Sequence, residues 1–477
     1  MMRAHVIGAG PNGLAAAIVL AQSGLPVDVY EAQAEPGGAA RTMALTIPGF
    51  LHDFGSAVLP MAVGSPFFST LPLVDYGLQW IHGDAPLAHP LDDGTAVMLE
   101  RSIADTARGL GEDGRSWQQL MQPIADHWEE FAADAMGPLI HFPHHPLLMA
   151  RFGISAFQSA QLLADNRFSG DRARSLFAGL AAHSFMSFER PLSAAIGLVL
   201  GAAAHAVGWP IPRGGSGSLT GALIAHFKSL GGAIHINARI DAGAFRDLIS
   251  DNALILCDTT PAALLSMAGD RIKPAFRRAA RQFELGPGVF KIDYALSEPV
   301  PWRAAECRRA ITVHLGGTFE EVAAAEEAVT RGQSALRPFL LVAQPSLFDS
   351  SRAPAGKHVL WVYCHLPNGS KFDMTTRIEA QIERFAPGFR ECVLQRHIST
   401  PATLEQADAN LVGGDISGGA STLRQFLFRP NLPSYATGTS NLYLCSASTP
   451  PGGGVHGMCG FHAATLALQK LVAISRS

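Results

Sequence analysis

Apolar and polar positions alternate along the chain in a way that predicts its elements. A short apolar run, Ala4 to Ile7, breaks at glycines; small and apolar residues then run from Leu14 to Gln22, and a second short run spans Val27 to Tyr30. Short apolar runs bounded by glycine predict buried strands, and the longer run between them predicts a helix. From Pro60 to His205 the pattern is helical and apolar, as in "SWQQLMQPIADHWEEFAADAM" and "SLFAGLAAHSFMSF". Ser218 to Leu230 predicts a helix closed by Gly231 and Gly232. It is followed by a strand, "AIHINARI", and a buried strand in "ALILCDTT", Ala253 to Thr260. From Gly288 to about Cys364 strands dominate: "VFKIDYAL", "FLLVAQPS" and "HVLWVYCHL". The chain closes with a strand-like "NLYLC", a glycine-rich loop from Ser446 and a helical "FHAATLALQKLVAI".

The first strand, helix and second strand frame Gly8, Gly10 and Gly13, a GxGxxG with Pro11 and Asn12 inside it. Gly8 permits the sharp turn, Gly10 lets a pyrophosphate sit against the backbone, and Gly13 lets helix and strand pack closely. The helix start then offers free N–H groups and a positive dipole end to phosphate. Glu31 ends the second strand, where a carboxylate takes ribose hydroxyls. The pattern predicts dinucleotide binding. Shortly after come Gly37 and Gly38, a second close approach of backbone, and Arg41, whose guanidinium matches phosphate geometry.

Length and charge narrow the class. A chain of 477 residues exceeds one compact core and predicts two domains, with a third possible. Hydrophobic content of 48% against 16% charged residues marks a core-rich globular protein. A formal net charge of −4 gives no electrostatic case for nucleic acid. The six cysteines are scattered without a CxxC pair, which argues against a zinc site or disulfide framework and suits a reducing compartment. The N-terminus has no signal-peptide pattern. The longest apolar stretch, Leu192 to Pro210, carries His205 and three glycines. It is weak beside the roughly 20 strongly apolar residues of a spanning helix and predicts a buried one. Cytoplasmic location is expected, with loose membrane contact if the substrate is lipid.

Other residues carry weaker chemistry. The "HFPHHP" run, His141 to Pro146, has two prolines and no close carboxylate; a loop with no metal is expected. His205 and Trp209 flank the "PRGG" loop, as core or as a tunnel wall. Arg213 could face a cofactor or cap a helix. Tyr363 and His365 share one face of a strand and could pass protons if that face meets a cofactor. Asp415, between glycine pairs, reads as a turn residue or a base. Cys459 lies near the glycine-rich loop, where a covalent link is conceivable.

GxGxxG, the acid at Glu31, the pair Gly37–Gly38 and Arg41 together resemble the FAD-binding signature of the flavin amine oxidase and phytoene desaturase superfamily. Two alanines separate Arg41 from the glycine pair, a departure from that signature. The stretches "PLSAAIGLVLGAAAHAVGWPIPRGGSGSLTGAL", "GPGVFKIDYALSEPVPW", "FLLVAQPSLFDSSRAPAGKHVLWVYCHLP" and "LYLCSASTPPGGGVHGMCGFHAA" look most like the phytoene-desaturase-like group. That group includes carotenoid isomerases, retinol saturases and the pyridine-nucleotide-disulfide-oxidoreductase-domain-containing protein 2 proteins. The resemblance implies an α/β fold: a Rossmann-type FAD-binding domain from 1–60, 208–275 and 430–477, interleaved with an α+β substrate domain from 61–207 and 276–429. It implies non-covalent FAD, with Gly452, Gly453, Gly454, Val455, His456 and Gly457 against the flavin and Ile240 near the adenine. The activity implied is desaturation, saturation or isomerisation of C–C or C=C bonds in an apolar substrate. Oxygen or a quinone would be the electron partner, since only one dinucleotide fingerprint is visible. Alternatives are an amine oxidase, disfavoured here because Phe461 stands without an aromatic partner, and a flavoprotein with an interaction role.

Overall fold

A computed structural model describes residues 2–138, 140–249, 253–430 and 434–476. The strands of its two large sheets are, in chain order, β1 (Arg3–Ile7), β2 (Val27–Tyr30), β3 (Ala85–Pro90), β4 (Ala96–Leu99), β5 (Ala233–His235), β6 (Ala253–Cys257), β7 (Gly288–Leu296), β8 (Ala310–Leu315), β9 (Leu340–Ala343), β10 (His358–Leu366), β11 (Val393–Ser399) and β12 (Leu442–Leu444). The helices that matter for the site are α1 (Pro11–Gln22), α2 (Trp128–Ala135), α3 (Pro146–Ala156), α4 (Asp171–Ala182), α5 (Ser193–Ala206), α6 (Gly217–Ser229), α7 (Phe319–Thr330), α8 (Pro401–Ala407) and α9 (Met458–Arg476).

The first sheet has the order β12–β6–β1–β2–β5, and every neighbouring pair is parallel. Its apolar strands are covered on both faces, as parallel sheets require. β1 and β2 are joined through α1, whose Leu14 to Ile18 are wholly buried. α9 packs directly on α1: a methyl at Gly460 would stand 1.8 Å from the Asn12 carbonyl oxygen, so only glycine allows this crossing. The two ends of the chain are thereby locked together.

The second sheet has the order β11–β7–β10–β9–β8–β3–β4 and is antiparallel except for β8 with β3. One face packs on the helix Thr375–Phe385 through Ile378, Ile382 and Phe385. Helices of the 128–206 region lie over the opposite side. Among them α5 is buried along most of its length, with Ala202 to Ala204 at zero exposure. No helix among the described residues is long and apolar enough to cross a membrane.

The structure corrects one predicted strand. "AIHINARI" is extended only over Ala233–His235. Asn237 adopts a left-handed φ of 52°, and the backbone N–H groups of Asn237 and Ala238 donate to the Gln33 and Glu31 carbonyls at 3.0 and 2.8 Å. The chain therefore turns around the end of β2. Ile240 does not end a strand; it packs, half-buried, with Phe245 and Ile255 in a small satellite core.

Candidate functional site

The glycines of the first turn are held by contacts that leave no room for a side chain. A methyl at Gly13 would stand 2.1 Å from the Gly8 carbonyl oxygen, and Gly8 has φ 101° with the Asp258 carbonyl 2.8 Å from its missing Cβ. Gly10 faces Gly38 across the cradle, a Gly38 methyl falling 3.3 Å from the Gly10 Cα. The loop lies where β1 and β6 end, the crevice that binds ligands in open parallel sheets, with the Asp258 carboxyl set against Gly10 and Gly13. The Gly10 and Asn12 N–H groups have no acceptor among the described residues. Glu31, at the end of β2, accepts from the N–H groups of Ala9 (3.0 Å) and Gln33 (2.8 Å), which fixes the carboxylate beside the turn.

Arg41 folds back beneath the second glycine pair. Its Nε donates to the Gly38 carbonyl at 2.7 Å and one Nη to the Ala407 carbonyl at 3.1 Å, and the guanidinium lies 4.7 Å over the Phe54 ring. The two intervening alanines make this return possible. Ala40 closes a turn onto the Gly37 carbonyl and lends its own carbonyl to Thr220 of α6.

The glycine-rich loop of the C-terminal segment lands beside this cradle. Gly452, Gly454 and Gly457 have φ of 111°, 129° and 71°, and a methyl on Gly457 would strike Phe68 at 2.4 Å and Ala15 of α1 at 3.0 Å. Gly453, Gly454, Val455 and His456 border a cavity of about 450 Å³. His456 departs from the expected donor role: its N–H turns onto the Gly454 carbonyl at 3.1 Å, and its Nδ1 accepts from Met458 N–H at 3.0 Å. Burial pushes its imidazole down to about 4, so the ring is neutral. The Val455 and Gly457 N–H groups have no acceptor among the described residues and stand at the positive end of α9.

From that loop the cavity runs between the second sheet and the helical layer. Its wall is mainly apolar: Phe54, Leu59 and Met61 at one end, Phe131, Met149 and Phe152 from α2 and α3. The sheet contributes Lys291, Thr312, Trp361 and Tyr363. Lys291 is a charged wall residue that the sequence pattern offers as a signal, a lysine inside the apolar strand "VFKIDYAL". Its Nζ bonds the Asp293 carboxylate and lies 5.8 Å from the Trp361 ring. Burial pushes Lys291 down and Asp293 up, the latter to about 6, each partly offset by the other. Trp361 Nε1 donates to the Gly55 carbonyl at 3.0 Å, tying the sheet to the segment beside the cradle. Arg429 is a second charged residue of the wall found only in the structure. It is buried, donates to the Ser417 carbonyl at 2.9 Å, and lies next to Gly452.

Tyr363 and His365 do share a face of β10, but only Tyr363 borders the cavity. Burial raises its phenol above its ordinary range, so it stays a donor. His365 lies behind Phe185, with ring centroids 4.1 Å apart. Both oxygens of buried Glu326 sit 2.8 Å from His365 Nδ1; a carboxylate only accepts, so Nδ1 carries the proton. Nε2 is left buried without a partner.

The remaining candidates are placed as follows. Trp209 borders the cavity while His205 is core, accepting from Trp117 Nε1 at 3.0 Å. Arg213 is exposed and does not line the cavity. Asp415 is a loop anchor, accepting from Gly286, Ser417 and Gly418 N–H groups. Cys459 is enclosed against the Thr449 and Gly452 carbonyls, and burial pushes its thiol up to about 12. Phe461 has partners after all: Phe67 at 5.0 Å and His462 at 5.2 Å. The "HFPHHP" run also has a carboxylate. Buried Asp134 accepts from the N–H groups of His144 and His145 at 2.9 Å and from His144 Nδ1 at 3.0 Å, with His141 Nε2 at 3.6 Å. Burial opposes its charge, but these donors hold its carboxyl well below the usual range. The helix end of α2 delivers Asp134 to residues ten positions on, which spacing alone does not reveal. With its oxygens so engaged, Asp134 anchors the entry to α3.

A nucleotide cradle on a parallel sheet is thus joined to an apolar cavity over a second sheet. A sequence profile for an NAD(P)-binding Rossmann-like domain matches residues 6–71. The chain is 27% identical to pyridine nucleotide-disulfide oxidoreductase domain-containing protein 2 of Mus musculus, over 98% of this chain and 93% of that one. It is 26% identical to the lycopene-forming phytoene desaturase of Pseudescherichia vulneris, over 98% and 99%. An oxidoreductase structure from Methanosarcina mazei shares the fold with a TM-score of 0.67 at 16% identity, covering 98% of this chain and 100% of that one. The chain is thus an FAD-dependent oxidoreductase similar, over nearly its whole length, to phytoene desaturases and to the pyridine nucleotide-disulfide oxidoreductase domain-containing proteins.

Proposed function

We propose that the protein acts on C–C or C=C bonds of an apolar, polyene- or lipid-like substrate, by desaturation, saturation or isomerisation, with FAD held non-covalently. The observation that carries this reading is the long apolar cavity that meets the glycine-rich loop and the nucleotide cradle. The Gly10 and Asn12 N–H groups would hold the diphosphate in the cradle that Gly8 and Gly13 keep open, Glu31 the ribose, and Val455 and Gly457 the flavin edge. FAD would supply hydride transfer to or from a substrate carbon. The chain's own part is to orient an extended apolar molecule along Trp361, Tyr363 and the α2–α5 wall, and to keep water out. Tyr363 offers a phenol proton at the wall. His365, its Nδ1 turned to Glu326, lies one step further along the same strand face, behind Phe185. Oxygen or a quinone would serve as electron acceptor for desaturation.

Lys291 favours a second reading, oxidation of a C–N bond, because an amine oxidase site commonly sets a lysine near the flavin. The apolar wall and the full-length similarity to desaturases weigh against it. Anaerobic mixing of the FAD-loaded protein with polyenes and with amines separates the two. Bleaching of the flavin by polyenes, or reoxidation of reduced flavin by them, supports our reading; bleaching by amines alone overturns it.

Peripheral membrane contact belongs to the same proposal. Phe142 and Leu147 are 85% and 87% exposed, with Ile154 and Phe157 also exposed nearby. Met149 and Phe152 of the same α3 border the cavity, so the patch sits on the outside of the cavity wall. Phe142→Glu with Leu147→Glu is expected to lower sedimentation with lipid vesicles several-fold while FAD content stays unchanged. Equal sedimentation of both proteins, or none with wild type, would remove membrane contact from the account.

A further inference from the structure

Asp258 follows β6 and stands in the nucleotide cradle. Its Oδ2 accepts from the Gly13 N–H at 2.9 Å and lies 2.9 Å from where a Gly10 methyl would be. The carboxyl therefore occupies the N-terminal end of α1, the position that a phosphate is drawn to. Its Oδ1 has no hydrogen-bond partner among the described residues. The backbone of Asp258 is fixed on two sides: its N–H donates to the Ile7 carbonyl at 2.7 Å, and its carbonyl accepts from Asn410 Nδ2 at 2.9 Å. The residue is not free to swing far from the cradle.

The charges around it are mostly of one sign. Glu31 comes from the end of β2, held on Ala9 and Gln33. Asp408 comes from the end of α8, with Oδ2 3.5 Å from where a Gly38 methyl would stand. Arg41 is the cation on this side, already bonded to the Gly38 and Ala407 carbonyls. From β6, β12 and α9 the facing groups are the thiols of Cys257, Cys445 and Cys459, which burial keeps protonated. A diphosphate entering beside three ionised carboxylates would meet strong repulsion at short range, only partly relieved by Arg41 and the helix end.

We propose that Asp258 is the proton-carrying residue of the cradle: FAD binds with uptake of about one proton from solvent onto Asp258, whose carboxylic acid then faces the diphosphate as a donor. This rests on the flavoprotein reading above. An ionised Asp258 repels the ligand, whereas the acid form keeps one oxygen on Gly13 N–H and turns an O–H outward. Burial, together with the charges of Asp408 and Glu31, pushes this carboxyl up to about 7, although the Gly13 N–H pulls the other way. A nearby diphosphate raises it further. The sign follows: the complex holds more protons than the free protein, so FAD affinity falls as pH rises above about 7. The dissociation constant grows by up to about tenfold per pH unit until the acid in the complex itself ionises.

The test is FAD titration of the apoprotein followed by flavin fluorescence across that range, with calorimetry in two buffers of different ionisation heat to count protons. Wild type is expected to show the rising dissociation constant and uptake of about one proton at mildly alkaline pH. Asp258→Asn keeps an acceptor for Gly13 N–H but cannot ionise; it is expected to show a flat profile and, at alkaline pH, tighter binding than wild type. Asp408→Asn is expected to retain the slope. A flat wild-type profile with no proton uptake, or a slope that survives in Asp258→Asn, overturns the proposal while leaving FAD binding intact. The wild-type calorimetry decides the matter even if the Asn variant does not fold. A protein that takes no FAD at any pH overturns the flavoprotein reading, and this proposal with it.

Discussion

Gly13→Ala is expected to purify with less than about a twentieth of the wild-type FAD and to recover little on reconstitution, the size of loss that about 2 kcal/mol or more of lost binding produces. The added methyl would stand 2.1 Å from the Gly8 carbonyl oxygen and 3.1 Å from Asp258 Oδ2. Backbone cannot yield there cheaply, because Gly8 is itself pinned by the Asp258 carbonyl and by its N–H bond to the Tyr30 carbonyl at 2.8 Å. Relief must come from moving α1 off β1, which removes the helix N-terminus from the diphosphate. Gly221→Ala is the matched control. A methyl there meets nothing within 4 Å inside α6, and it should be neutral or stabilise by about 0.5–1 kcal/mol. Flavin absorbance per protein and thermal melting of both variants check this. Full FAD content in Gly13→Ala would mean that the cradle is not where the diphosphate sits.

Lys291→Met is expected to destabilise the protein by about 3–5 kcal/mol, the usual cost of removing one partner of a buried ion pair. Asp293 has zero exposure, and His52, 3.8 Å from it, is itself pushed down to about 3 by burial and by the Lys291 and Arg352 charges. Without Lys291 the carboxyl is left to take a proton instead. Its folded-state affinity for that proton then rises further above the unfolded one, so relative to wild type the variant gains stability as pH falls toward about 6, below which the wild-type carboxyl takes a proton as well. Lys291→Met with Asp293→Asn removes both charges and is expected to recover a large part of the loss. Urea melts of the three proteins at two pH values check the sign as well as the size. A single variant as stable as wild type would mean that the pair is hydrated rather than buried. The same variants also bear on the amine reading, since Lys291 faces the cavity.

Local backbone requirements were legible from the residues; long-range register was not. Gly8, Gly10 and Gly13 announce themselves because the turn, the approach and the packing each demand glycine within six residues. The glycine-rich loop before α9 is readable for the same reason. Asp258 was invisible as a site residue because parallel pairing of β6 with β1, Cys257 opposite Ile7, brings it to the cradle from 245 positions beyond Gly13. Glu326 reaches His365 only through the packing of α7 on the second sheet. The strand in "AIHINARI" was read too long because apolar alternation continues past His235, while the left-handed Asn237 and the bonds to the end of β2 turn the chain away. The partner of Phe461 was missed because Phe67 lies almost four hundred residues earlier, brought near by α9 crossing α1.

We propose that the two ends of the chain build one flavin site. The visible absorption spectrum of the purified protein, repeated on the supernatant after denaturation, tests it most directly. We expect an oxidised-flavin spectrum that passes wholly to the supernatant as FAD, in keeping with the enclosed, protonated Cys459. Flavin that remains with the precipitated chain would contradict non-covalent binding, and a protein that shows no flavin even after incubation with FAD would contradict the site itself.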